Sequence, residues 1–243
     1  MMVNKNIINF AHRGASEYTP ENTMLAFNVG IFMGADGVET DVQLTKDGVA
    51  VLFHDDTLMR VTGEKGAIAD YTYEELRKFY VSKNDFCDKI VKLEDFLKSF
   101  HFRDIIFAIE LKERNSAEIV CDLIKKYDVA QKTVVTSFQY DALVAVRAYA
   151  PDINTGYLTA VVTEELLERM KQDGIYQLCP EAQILKPELV LKWHGMGFNV
   201  RAWGVYDEEL MIQSCNCGVD GMTVNFPDKL YKYIRDMQNN LNL

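Results

Sequence analysis

The sequence predicts an α/β fold closed as a (β/α)8 barrel, and three observations predict it. Short β-type runs alternate with longer amphipathic runs almost to the end of the chain, the pattern of parallel strands joined by covering helices. About eight such units fit into 243 residues, and barrels of this kind run to about 250 residues. Neither a G-x-G-x-x-G fingerprint nor a P-loop occurs, so an open nucleotide-binding sheet gains no support.

In chain order, strands are expected at 7–12, 37–42, 49–53, 105–111, 132–137, 153–158, 175–179, 198–203 and 219–224. Thr19-Pro20-Glu21-Asn22 reads as the start of the first helix, with Thr as N-cap, Pro at the first helical position and an acid in the first turn. Leu25, Val29 and Phe32 follow at helical spacing, and Gly34 suits a stop. Further helices fit 115–127, 139–149, 163–173, 187–196, 206–216 and 227–240. Residues 55–100 break the alternation and read as an irregular insertion with short helices at 73–79 and 93–99.

With 26 basic and 36 acidic residues, the chain carries a formal charge of −10. That argues against a nucleic-acid backbone as partner, which needs a basic footprint. A small phosphate substrate stays open, because a bound metal reverses the local sign. Met1–Asn6 lead into no apolar h-region, and no run of about 18 apolar residues occurs, so neither a signal peptide nor a membrane span is expected. The five cysteines lack a disulfide rhythm, and Cys215-Asn216-Cys217 alone is weak zinc evidence. A reducing, cytoplasmic setting is expected.

Chemistry concentrates where apolar runs end. Ile7–Ala11 stops at His12-Arg13-Gly14. In GVETDVQLTKDGVAVLFHDD, residues 37–56, Val38, Thr40 and Val42 share one strand face and Glu39 and Asp41 the other. Their carbon skeletons would sit roughly 6–7 Å apart. Val49–Phe53 then leads to His54-Asp55. In IIFAIELK, residues 105–112, Ile105, Phe107, Ile109 and Leu111 form an apolar face, while the opposite face finishes in Glu110 and Lys112. In a barrel, strand C-terminal ends meet at one rim. His12, Arg13, Glu39, Asp41, His54, Glu110 and Lys112 would converge there. Three crowded carboxylates repel one another and are poorly solvated, and a divalent cation removes both difficulties. All-oxygen ligation favours a hard ion, Mg2+ or Ca2+. Arg13 and Lys112 suit an anion held against it, and two histidines suit proton transfer near neutral pH. Together these describe cleavage of a phosphate ester.

HRGASEYTPENTMLAF, GADGVETDVQLTKDGVAVLFHD and IELK, with NVRAWGV and CGVDGMTVNFPD near the end, resemble the glycerophosphodiester phosphodiesterase family from about residue 7 to 230. The resemblance implies a TIM barrel with a small insertion after the second strand, one domain over 1–243 with the insertion at about 55–100. It implies His12 and His54 as the acid/base pair and Arg13, Lys112 and Trp203 as substrate-binding residues. Glu39, Asp41 and Glu110 are implied to bind one divalent ion, Mg2+ or Ca2+. The family usually has W-T-V-N where this chain has Trp203-Gly204-Val205-Tyr206, and often T-D where it has Val224-Asn225. Both departures are expected to bear on substrate choice rather than on the metal and histidine set.

The expected activity is hydrolysis of a small glycerophosphodiester to sn-glycerol 3-phosphate and an alcohol. The nucleophile is either water or the glycerol 2-hydroxyl, and which histidine is acid and which base is left open. Two rivals stand beside it: the same chemistry on a lysophospholipid, with Phe79, Tyr80 and Phe86 as an apolar wall, and a non-catalytic phosphate-binding barrel. No stable membrane association is expected, and a homo-oligomer is left open. His101 and His194 lack acidic partners at ligand spacing and read as structural.

Overall fold

A computed structural model describes residues 6–240; Met1–Lys5, most of the stretch read for a leader, lie outside the described residues. Eight parallel strands form the barrel: β1 (Ile8–His12), β2 (Gly37–Leu44), β6 (Ile106–Leu111), β7 (Thr133–Ser137), β8 (Asn154–Thr159), β9 (Gln177–Pro180), β10 (Asn199–Val205) and β11 (Gly221–Val224). β1 pairs with both β2 and β11, which closes the sheet. The outer helices are α1 (Met24–Phe32), α4 (Leu93–Phe100), α5 (Ala117–Lys126), α6 (Tyr140–Tyr149), α7 (Glu164–Gln172), α8 (Pro187–Gly195), α9 (Glu208–Cys217) and α10 (Pro227–Asn240).

Strand alternation decides what each side of the barrel holds. Val38, Val42, Phe107, Ile109 and Leu111 point outward into a core shared with α4, α5 and α6. Leu178, Val200, Ala202, Met222 and Val224 do the same against the later helices. The intervening positions point inward, and toward the strands' C-terminal ends these are the charged residues of β1, β2 and β6.

The candidate strand at 49–53 is β3 (Ala50–Leu52), which runs antiparallel to β2 and lies outside the parallel barrel. It opens a segment with two single-turn helices, α2 (Met59–Thr62) and α3 (Tyr73–Leu76), and a hairpin, β4 (Tyr80–Lys83) with β5 (Phe86–Lys89). Val51, Phe53, Leu58, Ile68, Leu76, Val81 and Ile90 give it a small core of its own. α4 then rejoins the barrel, where Phe96 packs against Phe27 and Phe107 with ring centroids 4.6 and 5.6 Å apart. The hairpin folds back over the loop after β1: Lys83 Nζ donates to the Ser16 carbonyl, and Asp88 accepts from the Leu25 amide at 3.0 Å.

Two local expectations give way. The first helix begins at Met24, not at Pro20, because Thr23 is the cap and its hydroxyl accepts from the Ala26 amide at 3.2 Å. Thr19 instead donates to the Ala15 carbonyl, while Glu21 and Asn22 are drawn to charged groups at the rim. His194 does have an acidic partner: its Nε2 lies 2.9 Å from Asp220 Oδ2, which also accepts from the Val200 amide and so ties α8 to β10. All five cysteines are free thiols. Among the described residues no helix is long and apolar enough to cross a membrane.

Candidate active site

Strand register brings the site together. His12 is the pairing partner of Glu39, and Asp41 that of Glu110. Four ionisable residues from β1, β2 and β6 thus lie in two adjacent levels at one rim. Glu39, Asp41 and Glu110 are all buried. They can each offer a carboxylate oxygen so that all three atoms lie within 4.8 Å of one another. This is the convergence expected for the seven-residue set, and Lys112, Arg13 and His54 complete it. Lys112 Nζ donates to Glu110 Oε1 at 2.8 Å and lies 3.5 Å from Asp41 Oδ1. Arg13 Nε lies 3.2 Å from Asp41 Oδ2.

The three carboxylates are not equivalent. Burial, then the charges of Asp41 and Glu110, push the Glu39 carboxyl well above its usual range. Burial and Asp41 push Glu110 up to about 7, against the pull of Lys112. Burial also opposes ionisation of Asp41, but Arg13 and Lys112 outweigh it and hold that carboxyl below its usual value. A buried trio with two members forced toward neutrality lacks positive charge. The donor set is all oxygen, which fits a hard divalent ion held by Glu39, Asp41 and Glu110.

The loop after β1 is shaped to reach this trio. Arg13 and Asn22 take left-handed backbone conformations (φ 53° and 56°) that side-chain-bearing residues rarely adopt. Arg13 turns its amide to Glu39 Oε2 at 3.1 Å and its Nη1 to Glu21 at 2.8 Å. Asn22 donates to Asp41 Oδ2 at 2.9 Å and accepts from the Thr40 hydroxyl at 2.7 Å. Gly14 has φ 82°, and a Cβ there would stand 2.4 Å from the Ala26 backbone. Gly14→Ala is therefore expected to cost about 2–4 kcal/mol, read as a lower unfolding midpoint in urea.

The two histidines sit in unlike settings. His12 Nδ1 lies 2.6 Å from Asn225 Oδ1, which also accepts from the Ser16 hydroxyl, and His12 Nε2 is 3.8 Å from Glu39. Burial, then the Arg13 charge, lower its pKa to about 4. His54 Nδ1 lies 2.7 Å from Asp55 Oδ1. Gln43, on β2, donates to the carbonyls of Phe53, His54 and Asp55 at 2.9–3.1 Å and so pins this turn to the barrel.

A cavity of about 280 Å³ opens above these groups, lined by His12, Arg13, Glu39, His54 and Glu110 on one side and by Phe138, Trp203 and Tyr206 on the other. Trp203 meets Phe138 edge to face at 4.9 Å, and its indole N–H donates to the Thr159 carbonyl at 3.3 Å. Gly204, at φ 71°, allows the irregular register of β10 between Ala202 and Val205. Phe79, Tyr80 and Phe86 do not line this cavity. Phe79 packs on Tyr71, and Tyr80 carries Lys89 over its ring at 3.3 Å.

Sequence reasoning missed several residues here. Asn225, placed outside the histidine set, is the direct partner of His12. Glu21 and Asn22, taken as a helix start, bind Arg13 and Asp41. Arg201, inside NVRAWGV, is a buried guanidinium held by Gln177 at 2.9 Å and Thr223 at 2.5 Å. Its alternation with Trp203 on β10 was the available signal, since both must face inward.

The class that this barrel and its rim define is that of the phosphoric diester hydrolases. The chain belongs to the glycerophosphoryl diester phosphodiesterase family, whose sequence model matches residues 12–229. It is 33% identical over 243 residues to a glycerophosphodiester phosphodiesterase of Bacillus altitudinis, covering 94% of this chain and 98% of the relative. A glycerophosphodiester phosphodiesterase structure from Parabacteroides distasonis superimposes with a TM-score of 0.85 at 26% identity, covering 97% of this chain and 99% of the other. A phosphodiesterase from Oleispira antarctica, solved with the product sn-glycerol-3-phosphate, gives a TM-score of 0.83 at 27% identity, covering 93% and 96%.

Proposed function

We propose that this enzyme hydrolyses glycerophosphodiesters to sn-glycerol 3-phosphate and an alcohol, using one divalent ion, Mg2+ or Ca2+, and the imidazoles of His12 and His54. The observation that carries the reading is the buried trio Glu39, Asp41 and Glu110, of which Glu39 and Glu110 line the same cavity as both histidines. Those three carboxylates would hold the ion, which when bound supplies Lewis-acid charge neutralisation at phosphoryl oxygens. Arg13 and Lys112 add fixed cations for the same oxygens. His12 commits Nδ1 as donor to Asn225 Oδ1, which leaves the Nε2 lone pair to take the proton from the attacking hydroxyl, whether water or the glycerol 2-hydroxyl. His54 commits Nδ1 to Asp55, which leaves Nε2 to protonate the departing alkoxide. Phe138, Trp203 and Tyr206 would face the alcohol. We further propose one barrel domain over 1–243, and five free thiols fit a reducing cytoplasm.

The test is a panel of glycerophosphodiesters given to EDTA-stripped enzyme, with Mg2+ or Ca2+ restored singly and a lysophospholipid assayed beside them. Turnover returning with either ion, and yielding sn-glycerol 3-phosphate, supports the reading. Binding of glycerol phosphate without hydrolysis of any diester would replace it with a binding role. The pH dependence of metal affinity is a second check. Burial and the neighbouring carboxylates push both Glu39 and Glu110 toward the protonated form in the metal-free protein, Glu110 to about 7, so metal must displace protons. Affinity is expected to rise with pH through the neutral range, by about tenfold per pH unit for each carboxyl still protonated, read by calorimetric titration. A pH-independent affinity would contradict the electrostatics above.

A further inference from the structure

Arg60, on the short α2 of the inserted segment, is gripped by two carboxylates at once. Its Nη1 and Nη2 donate to Glu21 Oε2 and Oε1 at 2.8 and 2.7 Å. Its Nε and Nη2 donate to Asp55 Oδ2 and Oδ1 at 2.6 and 2.7 Å. Both edges of the planar guanidinium are thus used as forks, which sets direction as well as distance.

Each carboxylate also holds a side chain of the rim. Glu21 Oε1 accepts from Arg13 Nη1 at 2.8 Å, and Asp55 Oδ1 lies 2.7 Å from His54 Nδ1. One guanidinium therefore joins Arg13, from the loop after β1, to His54, from the turn after β3. The Arg60 side chain is 50% exposed, so solvent screens much of what this network adds to stability, whereas the direction its two forks impose on the carboxylates is not screened. A second observation points the same way: Glu21, His54 and Asp55 offer ligand atoms all within 4.8 Å of one another, a spacing that could hold a metal ion. Arg60 already supplies the positive charge there.

We propose that Arg60 is a positioning residue: by binding Glu21 and Asp55 together it holds Arg13 and His54 in register, and its guanidinium stands in for a second cation between them. This rests on the reading of Arg13 and His54 as working groups of a one-metal site.

The test compares kcat, KM, unfolding midpoint and Mn2+ stoichiometry in the wild type, Arg60→Met, Arg60→Lys and the double variant Arg60→Met/Glu21→Gln. Arg60→Met is expected to lower kcat about tenfold to a hundredfold, with KM and midpoint little changed. Arg60→Lys should recover only part of that loss, because an ammonium cannot fork both carboxylates. Mn2+ stoichiometry should rise from one to two in Arg60→Met and return to one in the double variant. An unchanged kcat in Arg60→Met, in a wild type that binds one ion, overturns the positioning role alone. A stoichiometry still at one in Arg60→Met overturns the substitution for a second cation. A wild type that binds no ion and keeps full turnover as His54→Ala overturns the functional reading, and this inference with it.

Discussion

Alanine at position 12 or at position 54 is expected to lower turnover about 10²–10⁴-fold, the range for losing a positioned acid or base, while the protein stays folded. Both rings line the cavity, and neither fills the apolar clusters behind the barrel. Their removal therefore leaves the core intact. The two losses should differ in pH dependence. In His12→Ala the neutral base is gone, so raising hydroxide should recover part of the rate. In His54→Ala the group facing the alkoxide is gone, so substrates with acidic alcohols, which leave without protonation, should recover part of it. Rates on a good and a poor leaving group, at pH 6 and pH 9, separate the two. Full turnover in either variant would remove that histidine from the mechanism.

Asp41→Asn and Glu39→Gln are expected to act in opposite directions on the metal-free protein, although both should abolish metal-restored turnover. Asp41 lies within ion-pair distance of Arg13 and Lys112, at 3.2 and 3.5 Å, and is fully buried. Neutralising it leaves two cations partly unpaired, a change that costs about 3–5 kcal/mol in buried pairs. Glu39 is the reverse case. Burial and two neighbouring carboxylates already drive its carboxyl toward the neutral form. A glutamine there keeps the amide contact from Arg13 and removes the repulsion, so metal-free stability should hold or rise. Denaturant unfolding in EDTA, beside Mn2+ titration of each variant, makes the comparison. Equal destabilisation by both substitutions would show that the carboxylates do not share the unequal electrostatics described above.

Much of this protein was legible along the chain because alternation is a local rule. Val38 and Val42 against Glu39 and Asp41, or Phe107 and Ile109 against Glu110, separate core from site without knowledge of any partner strand. Chain position also indicates which strand ends carry charge, and a closed parallel barrel sends those ends to one rim. The inserted segment was harder. Residues 49–53 have the apolar run of a barrel strand, and only pairing with β2 makes β3 an antiparallel flap. Thr19-Pro20-Glu21-Asn22 has the chemistry of a helix start, yet Asp41, Thr40, Arg13 and Arg60 claim Glu21 and Asn22 first.

What the sequence by itself determined was the barrel, the convergence of His12, Arg13, Glu39, Asp41, His54, Glu110 and Lys112, and the family they resemble. What only the tertiary structure decided was how unevenly those groups are charged and who holds them. Asn225 reaches His12 from 213 residues away, and Arg60 bridges Glu21, 39 residues earlier, to Asp55. The physical reason is that strand periodicity acts over a few residues. Ion pairing and desolvation depend on distance in space, and chain separation carries little information about that until the barrel has closed.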